Sequence, residues 1–201
     1  MTTLSRKRSQ KAPYHHGDLR TAILQTAGKL LEEQGVATLS LREVARSAGV
    51  SHAAPYRHFA DRDALLAALA GEGFARLSEA LEAAGARGPR ARGEAYVCFA
   101  LEHRQRFRLM FGGLLRLDAH PGLRAAAART YDGLVRAFAP LAGPQGAPFA
   151  AAAAWSLVHG LAQLLLDGHF PGSKRGERET AAFVRDVLAV VRFARAAQPS
   201  D

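Results

Sequence analysis

Residues 38–66, TLSLREVARSAGVSHAAPYRHFADRDALL, constrain the fold more than any other stretch, because they set two short helical patterns around one glycine. Ser40 is placed to cap the first helix, its hydroxyl accepting from a backbone N–H that the helix start leaves free. Leu41, Val44, Ala45 and Ala48 fall at the three- and four-residue spacings of one buried face. Gly49 takes the positive φ that ends such a helix. Val50 then plugs the core between the helices, and Ser51 caps the second. Two helices joined this tightly form a helix-turn-helix, whose second helix offers its first turn to the major groove of DNA.

The same residues resemble the signature of the TetR family of transcriptional regulators. That signature runs Gly-Val-Ser, a few variable positions, an aromatic pair, His-Phe and a charged turn before the next helix. Gly49, Val50, Ser51, Tyr56, His58, Phe59, Leu65 and Leu66 all sit in register with it. Pro55 departs, standing where the pattern more often has Leu. In or just past the first helical turn, its missing N–H shortens or tilts the second helix rather than abolishing it.

Two kinds of DNA contact are expected. Ser40, Arg42, Ser51, His58 and Arg62 meet phosphates through side chains and helix N-termini. His52, Ala53, Tyr56 and Arg57 lie nearest the base edges. The resemblance makes Tyr56 a common family DNA contact, often to the backbone, and puts Arg57 at the second aromatic position. Arg57 is then either a phosphate anchor or a guanine reader, His52 a donor to a base acceptor and Ala53 a neighbour of a thymine methyl. Phe59 is assigned to the core.

Charge agrees with this reading. The net charge is +9, and residues 1–62 carry ten Lys or Arg against five Asp or Glu, hence +5 from under a third of the chain. A basic concentration around a helix-turn-helix is the footprint of phosphate contact, although a generally basic chain shows the same excess. Residues 1–16 read as a flexible basic arm. Its Arg6, Lys7, Arg8 and Lys11 either reach phosphates or the minor groove, or stay solvated.

No uninterrupted apolar run reaches about 18 residues, so no membrane span is expected. The basic, polar N-terminus lacks the apolar block of a secretory signal. Cys98 is the single cysteine, which excludes an internal disulfide and suits a reducing cytoplasm.

Helical periodicity predicts a helix over 18–34, another from Asp61 to about Ala84, and a break at GARGPRARG (85–93). Further helices are predicted over 91–103, 105–116, 122–141, 148–167 and 177–196, with a loop from Gly143 to Pro148. No alternating apolar run suggests a strand, so the fold class is all-α. The chain divides into the arm (1–16), a three-helix helix-turn-helix domain (17–62), a connecting helix (63–84) and a C-terminal helical body for ligand binding and dimerisation (91–198). In the last helix Phe183, Val184, Val187, Leu188, Val190, Val191 and Ala194 form an arc wider than one contact needs. Either the helix is central to the monomer or, paired with its predecessor, it makes a two-fold homodimer interface. The TetR resemblance implies the second.

WSLVHG (155–160) and HRQRFRLMFG (103–112) resemble the Trp…His-Gly element of one TetR subgroup's C-terminal domain. Trp155 and His159 are helix-face neighbours. With Phe99, His103, Phe107, Met110, Phe111 and Tyr131 they make either a pocket for a small apolar or amphipathic ligand or plain core. No catalytic or metal site is expected. There is no HExxH, nucleophile elbow, phosphate loop or dinucleotide fingerprint, one cysteine excludes a thiolate cluster, and no cofactor is implied. The sequence thus points to a ligand-relieved repressor, bound as a dimer to a palindromic double-stranded operator. Two alternatives stand beside it: a small-molecule-binding protein or enzyme keeping the head as a structural module, and a non-specific architectural DNA binder.

Overall fold

The computed structural model describes residues 16–170 and 176–191, which form seven α-helices and no strand. Arg6, Lys7, Arg8, Lys11 and Ala194 lie outside the described residues. The head begins with α1 (His16–Gln34), which buries Ile23, Leu24, Ala27, Leu30 and Leu31. α2 (Leu41–Ser47) starts as expected: Ser40 Oγ accepts from the Glu43 N–H at 3.2 Å. It ends in a Schellman motif around Gly49 (φ +66°), the Gly49 N–H donating to Arg46 O and the Val50 N–H to Ala45 O. Val50 stays half-exposed rather than plugging the core; Leu39, Leu41, Val44 and Phe59 fill that space.

The second helix of the motif departs from expectation. Residues 52–54 form a turn, and Pro55–Arg57 a single 3₁₀ turn, with no α-helix between Ser51 and Phe59. The Ala54 and Arg57 N–H groups donate three residues back, to Ser51 O and Ala54 O. Pro55 has no N–H to give an i−4 carbonyl, and its ring is fully buried, so the segment tightens instead of propagating.

Asp61 caps α3 (Arg62–Gly85), its Oδ1 accepting from the Ala64 N–H at 2.7 Å. α3 buries Leu65, Leu66, Leu69, Phe74 and Leu77, and packs on α1 in the head and on α4 (Pro89–Glu102), α5 (Arg104–Phe111) and α6 (Pro121–Leu166) in the body. α5 stops at Phe111, short of the predicted 116, because Gly112 and Gly113 follow. α7 (Glu177–Val190) packs on α4.

The helices predicted at 122–141 and 148–167 are the two arms of α6. Gly143 alone (φ 71°, ψ 167°) breaks them, and Pro144 restarts the helix where a missing N–H costs nothing. The arms fold back on each other: Phe138 packs on Ala147 and Ala151, and Tyr131 Oη donates to Pro148 O at 3.3 Å. By length and mean hydropathy (1.6 over 18 residues) α6 is apolar enough to cross a membrane, although no uninterrupted apolar run in the sequence is that long. Alanine carries much of that hydropathy.

Candidate functional site

Two regions hold the residues singled out from sequence. On the head, Arg42 is exposed on α2, Ser51, His52, Ala53, Tyr56 and Arg57 are exposed on the segment that follows, and His58 is half-buried. Tyr56 is 50% exposed although aromatic, while its neighbours Pro55 and Phe59 are buried. Phe59 anchors the segment from below, with the Arg20 guanidinium 5.3 Å from its ring centroid. Ser40 Oγ is engaged as the α2 cap and keeps only its proton to donate. Arg62 turns inward: its Nε donates to Leu39 O at 2.8 Å and its Nη2 to Val36 O at 2.5 Å. This guanidinium ties the loop before α2 to the start of α3, so Arg62 leaves the set of phosphate contacts.

The body holds a partly open cavity of about 600 Å³ lined by α3, α4, α6 and α7 and by the end of α5. Met110, Phe111, Tyr131 and Trp155 line it, with Phe74, Leu77 and Tyr96. Phe107 does not: it is fully buried beneath the wall, 5.8 Å from Tyr96 and 4.8 Å from Phe111 between ring centroids. Phe99 and His103 do not line it either. They meet edge to face, ring centroids 5.0 Å apart, on another face of α4 beside a shallow groove with Cys98 and Glu102. α4 ends at Glu102 and His103 leaves helical geometry (φ −120°, ψ 54°), so helical spacing from Tyr96 does not carry it to the cavity.

His159 sits behind the wall in a chain of hydrogen bonds. Trp155 Nε1 donates to Tyr96 Oη at 3.0 Å, and Tyr96 Oη lies 2.8 Å from His159 Nδ1. Indole N–H only donates, so the tyrosine oxygen accepts from Trp155. Its one proton finds a partner when it donates to His159 Nδ1, the pairing that puts the imidazole proton on Nε2. Burial pushes the Tyr96 phenol well above its ordinary range and pulls the His159 pKa down, so both stay neutral. Tyr96 had a sequence signal only as one of several apolar positions on α4.

α5 joins the two regions. The Glu32 carboxylate of α1 accepts from the Gln105 and Arg106 N–H groups, both at 3.1 Å, and so caps α5. Arg106 is 3% exposed and its Nη1 donates to Leu69 O of α3 at 2.9 Å. Burial lowers its pKa from the usual guanidinium value, against the pull of Glu72 and Glu32. Met110 and Phe111, one turn further on, reach the cavity.

Known proteins share this fold. Residues 23–69 match the model of bacterial regulatory proteins of the tetR family, and residues 89–191 that of the tetracyclin repressor-like C-terminal domain. The HTH-type transcriptional repressor Rv3405c of Mycobacterium tuberculosis is 36% identical over 69 residues, 34% of this chain and 37% of that repressor, so the likeness spans little over a third of the relative. A solved protein of unknown function from Rhodococcus sp. RHA1 is 41% identical, covering 89% of this chain and 97% of its own, with a TM-score of 0.71. The multidrug binding protein EbrR, solved with imidazole, is 26% identical, covering 96% of this chain and 100% of its own, with a TM-score of 0.61.

Proposed function

Because the chain belongs to the TetR family of bacterial regulatory proteins, whose members are transcriptional regulators rather than enzymes, we propose that it is a sequence-specific repressor of transcription that binds a palindromic operator as a homodimer and is released by a small ligand. The division of labour is the one read from sequence: residues 17–62 contact DNA, 63–84 connect, and the body from 91 holds the ligand and dimerises. The observation that carries this is the exposed Tyr56–Arg57 pair, held outward by the buried Pro55 and Phe59. An aromatic hydroxyl and a guanidinium on one rigid turn suit a phosphate and a base edge.

Dimerisation is supported by the second arm of α6. Phe149 (79% exposed) and Leu164 (43%) stand at the ends of one solvent-facing stripe, with Ala153, Ser156 and Gly160 between them. Only 28% of the most apolar α6 window is buried within the chain, and Val190 of α7 is 79% exposed. A second copy covering these faces would fix the spacing of two heads against two half-sites.

Release follows from α5. A ligand that displaces Met110 and Phe111 moves α5, and with it the Glu32 cap that ties α5 to the head and the Arg106–Leu69 bond that ties it to the connecting helix. Its leverage is limited to its differential affinity for the two arrangements. The test is selection from fragmented genomic DNA by the full chain, followed by a salt titration of the enriched site. A shared palindrome whose affinity falls steeply with salt is expected; fragments with no common sequence would indicate an architectural binder instead.

A further inference from the structure

The cavity wall shows what its ligand must offer. Its aromatic hydroxyls and indole are already engaged: Trp155 Nε1 and Tyr96 Oη with each other and His159, Tyr131 Oη with Pro148 O. Thr130 Oγ1 is held by Ser78, Ala126 O and Phe74 O. The remaining polar side chains are two guanidiniums, Arg90 and Arg92, in the first turn of α4 at the end of the cavity where Leu81 and Leu188 also lie. Arg92 uses Nε to donate to Leu81 O at 3.3 Å. That bond fixes the plane of the group and leaves its other N–H donors. Among the described residues no carboxylate pairs with either arginine, and no acidic side chain lines the cavity.

We propose that the ligand of this cavity is an organic anion with a large apolar body, its carboxylate or similar group held by Arg92 with Arg90 and its body among Phe74, Phe111, Tyr131 and Trp155. The proposal rests on reading the cavity as the effector site. A wall whose free side-chain hydrogen-bonding groups are all donors favours an acceptor, and a guanidinium beside apolar surface favours a charged one. An ammonium ligand would meet like charge at that end and find no carboxylate. Gly85, where α3 ends, is part of the device: a Cβ there would overlap the Arg92 guanidinium, so only glycine lets the group lie where it does.

Three probes with one body separate the possibilities: 4-(1-pyrenyl)butanoate, the corresponding butanol and the corresponding butylammonium. Trp155 is the single tryptophan of the chain and lines the cavity, so energy transfer from it to pyrene reports binding to the chain, and the cavity variants locate it. The full chain should bind the butanoate about tenfold or more tighter than the butanol, and the ammonium weakest. Arg92→Gln should remove the advantage of the butanoate and leave the butanol unchanged. Gly85→Ala, which keeps the arginine but displaces it, should do the same. Equal or tighter binding of the butanol or the ammonium, or a butanoate advantage that survives both variants, would overturn the anion assignment while keeping the cavity as a ligand site. No energy transfer from any probe would overturn the effector-site reading itself, and this proposal with it.

Discussion

The head and the body treat polar side chains in opposite ways. On the head, Ser51, His52, Tyr56 and Arg57 face solvent on a turn anchored by apolar residues beneath. In the body, Tyr96, Trp155 and His159 face inward and satisfy one another. A surface that meets a hydrated polyanion keeps its donors outward and exchangeable. A cavity that admits an apolar molecule first has to settle its own polar groups, since each one left unpaired would penalise both the empty and the filled state. The same residue types therefore read as contacts in one region and as wall in the other.

The largest effect should come from splitting the two regions. Replacing Tyr56 and Arg57 together with Ala removes one aromatic and one cationic contact, and operator affinity should fall on the order of 100-fold or more, given about 1–3 kcal/mol for each good contact. Pyrenylbutanoate binding to the same variant should not change. Gel retardation and Trp155 energy transfer on one preparation measure both. Operator binding that survives would dismiss the turn as the reading element.

The seam between the regions gives the next test. A Cβ at Gly73 would stand 2.5 Å from Met110 Sδ and 3.1 Å from Arg106 Cγ, whereas one at Gly71 on the same helix meets nothing within 4 Å. Gly73→Ala should therefore destabilise by about 1–3 kcal/mol through overpacking, less the helix gain. Gly71→Ala should stabilise by up to about 1 kcal/mol. Urea titration of both variants decides it; similar gains for the two would show that α5 lies more loosely on α3 than its contacts imply.

What was legible in the sequence was local. Ser40, Gly49 and Asp61 declare helix ends through chemistry acting within a few residues, and the structure uses all three. Pro55 announced a shortened helix, yet not that the α-helix would give way to a 3₁₀ turn. That outcome depends on how deeply the ring is buried. The cavity was half legible. Residue type points to Met110, Phe111, Tyr131 and Trp155, but which face of α4 looks inward is set by packing against α3, α6 and α7. Residue type and spacing alone therefore do not single out Tyr96, and they place Phe99 and His103 on the cavity side, where the structure does not have them. Arg62 shows the same limit, because a basic residue beside an exposed polar turn reads as a phosphate contact until carbonyls from residues 36 and 39 are seen to accept from it.

Ser40 sharpens the comparison because it belongs to both accounts, as a cap and as an expected phosphate donor. Ser40→Ala should cost about 1 kcal/mol by leaving the Glu43 N–H without its partner. Ser40→Asp keeps an acceptor for that N–H and so should hold stability, while placing a negative charge where a phosphate is expected. Thermal unfolding combined with operator titration separates the roles. If the aspartate variant binds the operator as well as the parent does, Ser40 serves α2 alone.

The smallest effect is a pH dependence confined to the body. His159 Nδ1 accepts the Tyr96 proton, and the rings around it, Tyr96, Phe107, Phe111 and Trp155, carry no charge to stabilise an imidazolium. Its folded pKa is lowered by burial from an ordinary value of about 6.5. In the unfolded chain the imidazole protonates as pH falls through that ordinary value, while in the folded chain it stays neutral until a lower pH. The unfolded state then binds more protons, so the contribution of His159 to stability is complete above about 6.5 and is lost as pH falls through the folded value. His159→Gln keeps a hydrogen-bonding side chain without the titration and should flatten that acid limb of a urea-midpoint profile, leaving the neutral limb nearly parallel to the parent. An acid limb that persists unchanged in the variant would move the titration to another group and leave the Tyr96–His159 bond without a role in it.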